Sequence, residues 1–257
     1  MKVFHLLLRR LTFTLLSLSL LIFHQSAPAE TRLSGNHFLS AELLNLSKDL
    51  TMNPIALWLD QGSQIWQKDC QGCHQDLTQV RQSIVEFPRW KNHQLINLED
   101  QIIQCFAKKQ MVGLNTENQD VIALSTFLSD SAKGLKIKLQ PPSEVAERKL
   151  WQEELNHGAQ IYIQRQGRVN LSCTQCHDLN IGKNLRSDVI SPAFLTGFPI
   201  YRQSWQTMGS MDRRLRACYS GVQAAIPPTG HRDLRALELF LKNRSEGLLW
   251  EGPSIRR

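Results

Sequence analysis

The sequence lacks a strong excess of charge of one sign, and this excludes one broad class of function. It contains 30 Lys+Arg and 23 Asp+Glu residues. Three of the basic residues and none of the acidic ones lie in residues 1–29, so the remainder carries a formal net charge of only +4. Such a small, scattered charge excludes nucleic-acid binding and remains compatible with an anionic substrate or an acidic partner. Convincing runs of alternating apolar and polar residues, which would indicate β-strands, are also lacking.

The N-terminal segment has the pattern of a secretory signal peptide. Basic residues precede an apolar run over residues 11–23, and a small-residue cleavage pattern follows at residues 27–29. We therefore predict a signal peptide over residues 1–29, cleavage before Glu30 and export to the periplasm. A membrane anchor is the alternative, but the run is short for a span and no stop-transfer segment follows it. Because the residue after the cleavage point is not cysteine, a lipoprotein is not expected.

Two motifs of the form Cys-x-x-Cys-His predict covalent attachment of two haem c groups. Two thiols at this spacing reach the two vinyl groups of one porphyrin, while the adjacent imidazole becomes the proximal ligand of the iron. Structural zinc or a disulfide is the alternative for a single motif, but two motifs in one exported chain favour haem. The motif residues are Cys70, Cys73 and His74 in the first case and Cys173, Cys176 and His177 in the second.

The haem motifs belong to a longer internal repeat. In both halves an alanine lies 18 residues after a further cysteine, and it opens a segment with helical apolar spacing. Matching positions are Gly62 and Gly158, Trp90 and Tyr201, Cys105 and Cys218, and Ala123 and Ala236.

This repeat predicts an all-α fold of two tandem cytochrome c-like domains, each built around its own haem. We expect the N-terminal domain over residues 30–133 and the C-terminal domain, which contains the active site, over residues 148–257. A linker over residues 134–147 joins them, because Gly134 and two consecutive prolines break helices.

Cys105 and Cys218 remain unassigned after the haem motifs are counted. Their equivalent positions suggest equivalent roles, and the sixth coordination position of each iron is one that a thiolate can fill. A disulfide between them is an alternative, since free thiols are uncommon in exported proteins. Other residues that could fill the sixth position are Met111, Met208, Met211, His93, His157 and His231.

In combination these motifs resemble the SoxA family, the di-haem subunits of the SoxAX thiosulfate-oxidising cytochromes. The resemblance spans about residues 53–257 and includes the segments 95–99 and 214–218. It implies two cytochrome c domains with histidine/cysteine ligation of both irons. The metal ligands would be His74, Cys105, His177 and Cys218.

The resemblance also implies an activity, that of an L-cysteine S-thiosulfotransferase. Thiosulfate would be coupled oxidatively to a cysteine of the carrier SoxYZ, with electrons leaving through c-type haem. Cys218 would be the catalytic residue, carried as a cysteine persulfide, and Arg214 would bind the substrate. The partner would be SoxX, a mono-haem cytochrome c that forms a heterodimer with this subunit.

The residues near Cys218 are consistent with these roles. If the segment is helical, Arg214 lies four residues before Cys218 on the same face, where a guanidinium fork suits an oxyanion. The first repeat has Asp100, Gln101 and Ile103 where the second has Arg213, Arg214 and Arg216, so only the second offers positive charge there. Haem propionates or solvent are alternative partners for these arginines.

Two other functions share the haem motifs. A di-haem electron carrier without a substrate of its own would need neither Arg214 nor a sulfur-accepting Cys218. A peroxidase would need an open or displaceable sixth position on one iron, which two well-placed cysteine ligands disfavour.

Overall fold

The computed structural model describes residues 32–49, 51–74 and 76–257. The predicted signal peptide and its cleavage point before Glu30 lie outside this part of the chain. Residues 33–257 form one compact unit. Within the described ranges, none of the helices has the length and apolar character needed to span a membrane.

Helices dominate the described part of the chain, as the sequence predicts. A 3₁₀ helix covers Gly35–Phe38, and a π-helical turn covers Trp66–Cys70. The α-helices are α1 (Ala41–Lys48), α2 (Ala56–Ile65), α3 (Leu77–Ile84), α4 (Leu98–Ala107), α5 (Gln119–Ser131), α6 (Val145–Ile163), α7 (Cys173–His177), α8 (Met211–Gly221) and α9 (Arg232–Arg244).

Short strands, which the sequence does not predict, add three small sheets to the described region. The first two are antiparallel pairs, β1 (Arg89–Lys91) with β2 (Gln94–Ile96) and β3 (Asn184–Leu185) with β4 (Asp188–Val189). In the third sheet β5 (Ile200–Arg202) lies between antiparallel β6 (Thr207–Gly209) and parallel β7 (Ser254–Arg256). Strands of two or three residues are too short to display an alternating pattern. The all-α expectation therefore describes the helices and omits these sheets.

Polar residues determine where the helices after the hairpins begin. The Asn97 side chain accepts from the backbone N–H of Asp100, whose carboxylate accepts in return from the Asn97 N–H, which is a capping box at α4. The Ser210 side chain accepts from the Arg213 N–H at α8. Each hairpin therefore leads directly into a capped helix.

Two helix pairs cross closely at glycines, one pair in each half. A Cβ atom built on Gly62 of α2 would lie 2.2 Å from the carbonyl oxygen of Ala123 in α5. A Cβ atom on Gly158 of α6 would lie 2.0 Å from the carbonyl oxygen of Ala236 in α9. These are the glycine and alanine positions that the internal repeat matches, so both crossings follow from the same sequence pattern.

Four groups of buried apolar residues stabilise the described part of the chain, and the smallest of them contains Leu95, Leu139, Trp151 and Leu239. The first cluster surrounds α5 and includes Ile102, Phe106 and Leu124. The second surrounds α9 and includes Ile161, Leu215 and Leu237. The third lies between α1, α5 and β7 and includes Leu43, Ile122 and Ile255.

The predicted linker and the C-terminal segment pack together in the interior. Gly134 has a φ of +84°, which suits its predicted role as a helix breaker. Ile137 is buried, and its N–H donates to the Leu248 carbonyl oxygen at 2.9 Å. Trp250 joins the first cluster, so the C-terminal segment helps to build the core of the first half.

A buried arginine connects the two halves. Arg235 of α9 donates from Nη2 to a carboxylate oxygen of Asp100 in α4 at 2.8 Å, and from Nε to the other oxygen of that carboxylate at 2.5 Å. Its Nη1 also donates to Asp212 of α8. Such a pair is costly to break, because removal of one partner leaves an uncompensated buried charge.

Three buried charged residues, Lys242, Glu238 and Glu99, line a cavity of about 30 Å³ beside this arginine. Lys242 lies with its Nζ 3.7 Å from the centroid of the Trp250 ring. Burial lowers the pKa of Lys242 to about 7, with Glu238 and Glu99 opposing the shift. Burial raises the pKa of Glu238 to about 8 and that of Glu99 to about 7. The neutral forms of all three groups are therefore favoured in the folded protein.

Candidate active site

The first Cys-x-x-Cys-His motif follows α2 and begins at the end of the π-helical turn. Cys70 ends the π-helical turn, and the N–H groups of Cys73 and His74 both donate to its carbonyl oxygen at 2.9 Å. The His74 imidazole stacks with Trp66, the ring centroids lying 5.9 Å apart. Cys70 packs against the first cluster, whereas Cys73 and His74 are exposed. One helical turn thus presents both thiols and the imidazole, the donor set of a covalent haem.

The second motif forms α7 itself. His177 Nδ1 lies 2.7 Å from the carbonyl oxygen of Ser191. Because a carbonyl oxygen only accepts, Nδ1 carries the proton, and Nε2 is left free to bind iron. Burial lowers the pKa of His177 and favours the neutral ring that a metal ligand requires. The orientation of His177 therefore fits a haem held by Cys173 and Cys176.

In each half the additional cysteine lies close to the first cysteine of the motif. Burial raises the pKa of Cys70 to about 11, and the charge of Cys105 on α4 adds to this effect. Burial likewise raises the pKa of Cys173 to about 12, and the charge of Cys218 on α8 adds to it. Cys105 and Cys218 are both free thiols. Each half therefore places its additional cysteine within electrostatic reach of the first cysteine of its haem motif.

The histidines considered as alternative ligands are engaged with carboxylates. His157 Nε2 lies 2.7 Å from Asp233 Oδ1. His231 precedes α9 and accepts at Nδ1 from the Asp233 N–H. His93 Nδ1 lies 3.1 Å from Glu147 Oε1. In each of the three rings one nitrogen is thus engaged by Asp233 or Glu147.

The methionines considered as alternatives differ in position. Met208 packs in the third cluster, with residues of α1 and β7. Met111 lies against the first cluster, as Cys70 does, and Met211 belongs to the second cluster, which Cys173 contacts. Met111 and Met211 therefore each share a cluster with the first cysteine of a haem motif, and Met208 does not.

Arg214 lies one turn before Cys218 on α8, as the sequence predicts. Its guanidinium makes no hydrogen bond or ion pair with the described residues. Its charge nevertheless acts on the haem motif, since after burial and a hydrogen bond it contributes to the shift in the His177 pKa. A cation without a counter-ion beside a cysteine is suited to bind an anion.

The other two arginines of this segment are occupied elsewhere. The guanidinium of Arg213 lies 4.5 Å from the centroid of the Trp205 ring. Arg216 donates to the Pro227 carbonyl oxygen at 3.0 Å and to Thr229 Oγ1 at 3.2 Å. Of the three arginines that the sequence singles out, Arg214 is thus the one available to a ligand.

In the first half, the residue that corresponds to Arg214 is Gln101, and it forms hydrogen bonds with neighbouring side chains. Gln101 Nε2 donates to the sulfur of Cys105 at 3.3 Å, and Gln101 Oε1 accepts from Lys91 Nζ at 2.8 Å. The sequence comparison of the two repeats omits Lys91, which brings a positive charge near this place. Lys91 contacts Gln101, and Gln101 in turn contacts Cys105.

Sequence reasoning also missed two arginines that act electrostatically on Arg214. Arg202 ends β5, Arg256 ends β7, and the two are paired residues of neighbouring parallel strands. Burial lowers the pKa of Arg202, and the charge of Arg214 adds to this effect. Burial lowers the pKa of Arg256 to about 10, with Arg214 and Arg202 both contributing. The repeat itself could have indicated Arg202, because the matching of Trp90 with Tyr201 places Lys91 opposite it.

The fold and the two motifs define the protein as a c-type cytochrome. A family model described as the SoxA/TsdA cytochrome c domain matches residues 56–137, from α2 into the linker segment. The chain is 30% identical to the L-cysteine S-thiosulfotransferase subunit SoxA of Pseudaminobacter salicylatoxidans, over 90% of this chain and 82% of that protein. The chain therefore belongs to the SoxA family.

Further comparisons agree with this assignment. The L-cysteine S-thiosulfotransferase subunit SoxA of Paracoccus pantotrophus is 28% identical to this chain, over 88% of this chain and 80% of that protein. A chain in the crystal structure of SoxXA from P. pantotrophus superposes with a TM-score of 0.79 at 26% identity. That superposition covers 88% of this chain and 87% of the other.

Proposed function

We propose that this protein is the SoxA subunit of an L-cysteine S-thiosulfotransferase, which couples thiosulfate oxidatively to a cysteine of a SoxYZ carrier. The observation that carries the proposal is the Arg214 guanidinium, which has no partner among the described residues and lies one turn before Cys218. The names of the SoxA relatives support the same activity.

The proposal includes two covalent haem c groups, one in each of two tandem cytochrome c-like domains. Thioether bonds would form at Cys70, Cys73, Cys173 and Cys176, and the axial ligands would be His74 with Cys105 and His177 with Cys218. The two domains would cover residues 30–133 and 148–257, with a linker over residues 134–147. The matching glycine crossings of α2 with α5 and of α6 with α9 support this division.

The chemistry requires a sulfur acceptor and an anion site in the same place. Cys218 thiolate attacks the sulfane sulfur: Cys218–S⁻ and ⁻S–SO₃⁻ give Cys218–S–S–SO₃⁻ and two electrons. The haem groups, when bound, would accept these electrons one at a time, one per iron, in this subunit and in the partner cytochrome. The carrier thiolate then displaces Cys218 by exchange, forming carrier–S–S–SO₃⁻ and restoring Cys218–S⁻. A persulfide of Cys218 would carry out the same exchange with one additional sulfur.

Arg214 has the role of orienting the substrate in this scheme. A guanidinium presents paired N–H donors, which match two oxygens of the sulfonate end of thiosulfate. The sulfane end is then directed towards Cys218, one helical turn away. Gln101 in the first half donates to Cys105 instead, so the first haem would transfer electrons or support structure.

The partners follow from the same proposal. A SoxX mono-haem cytochrome c would form the heterodimer, and the likeness of this chain to one in the SoxXA crystal structure supports that partner. SoxYZ would present the acceptor cysteine. The signal peptide proposed over residues 1–29 would export the protein to the periplasm, where haem c is attached covalently.

Arg214→Ala in the complex with SoxX tests the proposal. Loss of a charge-assisted interaction of about 1.5–3 kcal/mol should lower kcat/KM for thiosulfate about ten- to a hundredfold. Arg214→Lys should recover part of the loss, because an ammonium lacks the bidentate fork. Gln101→Ala, the matched variant of the first half, should leave kcat/KM unchanged. Absorbance spectra of both haems should be preserved in the two Arg214 variants.

The sulfur chemistry gives a second test. Mass spectrometry should find cyanide-labile sulfur on the Cys218 peptide and none on the Cys105 peptide. Full activity of Cys218→Ala with SoxYZ would overturn the catalytic assignment. If Arg214→Ala weakens haem binding and spares kcat/KM, Arg214 is a propionate partner, and a di-haem electron carrier becomes the better description.

A further inference from the structure

The two halves place a hairpin and a helix in the same order beside the second cysteine. Lys91 is the last residue of β1, and Arg202 is the last residue of β5. Each hairpin leads into a capped helix, α4 or α8, whose fourth residue is Gln101 or Arg214. Lys91 thus corresponds to Arg202, and Gln101 corresponds to Arg214.

In the first half these two positions are in direct contact. Lys91 Nζ donates to Gln101 Oε1 at 2.8 Å, and Gln101 Nε2 donates to Cys105 Sγ at 3.3 Å. The end of the strand and the first turn of the helix therefore converge at the additional cysteine. The lysine and the glutamine satisfy each other and need no ligand.

In the second half both positions hold cations, which cannot satisfy each other. The shift in the Arg202 pKa, caused first by burial, also receives contributions from Arg214 and from Cys218. Arg202 and Arg214 therefore occupy the strand end and the helix position that Lys91 and Gln101 occupy in the first half, and both precede the additional cysteine, Cys218.

Arg202 is fixed in place and still has donors to offer. Its Nη2 donates to Asp188 Oδ2 at 3.0 Å, and its Nε has a long contact of 3.4 Å with Ser204 Oγ. Its guanidinium lies 5.5 Å from the centroid of the Trp205 ring. Among the described residues no partner is found for its Nη1. Asp188 on β4 therefore holds one edge of the guanidinium and leaves the other available.

The third arginine, Arg256, adds charge and is anchored through one of its terminal nitrogens. Arg256 Nη1 donates to Asn36 Oδ1 at 3.0 Å and to the carbonyl oxygen of Ile255 at 2.8 Å. Three arginines thus lie near two carboxylates, Asp188 and Glu251, and Glu251 also accepts from Thr196 Oγ1 at 2.7 Å. A surplus of positive charge in a half-buried place favours a doubly charged anion over a singly charged one.

We propose that Arg202 is a second anion-binding residue, which forms a two-arginine clamp with Arg214 and selects a dianion over a monoanion. Asp188 is its positioning residue, because its carboxylate orients the Arg202 guanidinium. This inference rests on the proposed function and adds the basis of substrate selection: the sulfonate oxygens of thiosulfate lie between two guanidinium groups.

The test compares Arg202→Ala with Lys91→Ala, the same strand position in the first half, in the haem-loaded complex with SoxX. Arg202→Ala should raise the KM for thiosulfate about tenfold or more, with kcat nearly unchanged. Sulfate, a dianion, should inhibit the wild type more strongly than nitrate, a monoanion, and Arg202→Ala should lose this preference. Lys91→Ala should change neither quantity.

Two further variants cover the possibility that Arg202→Ala folds poorly. Arg202→Lys keeps the charge and should lose part of the sulfate preference, because the fork is gone. Asp188→Asn should raise KM by a smaller factor with both haem spectra unchanged. An unchanged KM and sulfate preference in Arg202→Lys and Asp188→Asn would overturn the clamp.

Binding of labelled sulfate, measured by equilibrium dialysis without carrier, separates the two proposals. If the wild type does not modify SoxYZ yet binds sulfate through Arg202, the proposed function fails and the clamp stands. If the wild type modifies SoxYZ and Arg202→Ala binds sulfate as tightly as the wild type, the clamp fails and the function stands. In the second case Arg202 is only a structural partner of Asp188.

Discussion

Gly158→Ala should destabilise the protein strongly, because the added methyl group has no space. Its Cβ atom would lie 2.0 Å from the Ala236 carbonyl oxygen, 2.6 Å from the Ala236 carbonyl carbon and 2.9 Å from Phe240 Cβ. Two of these atoms are backbone atoms of α9, so rotation of a side chain cannot relieve the clash. Helices α6 and α9 must separate.

The expected change in the free energy of unfolding is the difference between two opposing contributions. Overpacking of a well-packed contact costs about 1–3 kcal/mol, and we expect the upper end because the obstacle is backbone. Alanine is better than glycine inside a helix by about 1 kcal/mol. The net loss in the free energy of unfolding is therefore about 2 kcal/mol. For a chain of this length, Tm should fall by about 4–8 °C.

Thermal unfolding of the haem-loaded protein, followed by circular dichroism, measures this change. Gly62→Ala should behave similarly, because its Cβ atom would lie 2.2 Å from the Ala123 carbonyl oxygen. Gly221→Ala is the matched control: it ends α8, and nothing lies within 4 Å of an added Cβ atom. If Gly158→Ala and Gly221→Ala have the same Tm, the close crossing of α6 and α9 is wrong.

Three other predictions concern the haems and the buried charges. Intact mass should give a mature chain starting at Glu30 with two covalent haems, and a single haem would contradict the two-motif interpretation. Cys105→Met should alter one haem spectrum and largely spare thiosulfate turnover, whereas a Cys105–Cys218 disulfide found by peptide mapping would contradict axial ligation. Because burial lowers the pKa of Lys242 from 10.5 to about 7, the unfolded chain binds more protons between these pH values, so the destabilising effect of Lys242 decreases and the free energy of unfolding rises with pH. Lys242→Met should remove this rise, and identical slopes of unfolding free energy against pH in both proteins would refute the assignment.

Much of the fold and of the site can be predicted where the pattern is local. The two Cys-x-x-Cys-His motifs, the helical segments after Cys105 and Cys218, and the i, i+4 relation of Arg214 to Cys218 are all readable within a few residues. The glycine crossings are also indicated, because the repeat matches Gly62 with Gly158. Such features depend on the spacing of residues along one helix, and this spacing can be counted in the sequence.

Features that depend on distant pairing could not be predicted. β7 pairs with β5 across more than fifty residues of chain, and three-residue strands carry no periodic signal. Arg256 enters the site only through that pairing. Gly134 and the prolines after it predict a linker, yet Ile137 is buried and donates a hydrogen bond to Leu248, near the other end of the chain. Helix breakers indicate where helices end and do not indicate what covers the segment between them.

The difference between the halves lies in topology as well as in residue type. In the first half the hairpin of β1 and β2 stands alone, whereas β7 adds a third strand beside β5 in the second. Arginines placed at Lys91 and Gln101 would therefore still lack the third cation that Arg256 provides. An arginine at Gln101 would also lie next to Asp100, whose carboxylate is already paired with Arg235. The anion site thus depends on the C-terminal strand, and substitution at the two matching positions alone should not transfer it to the first half.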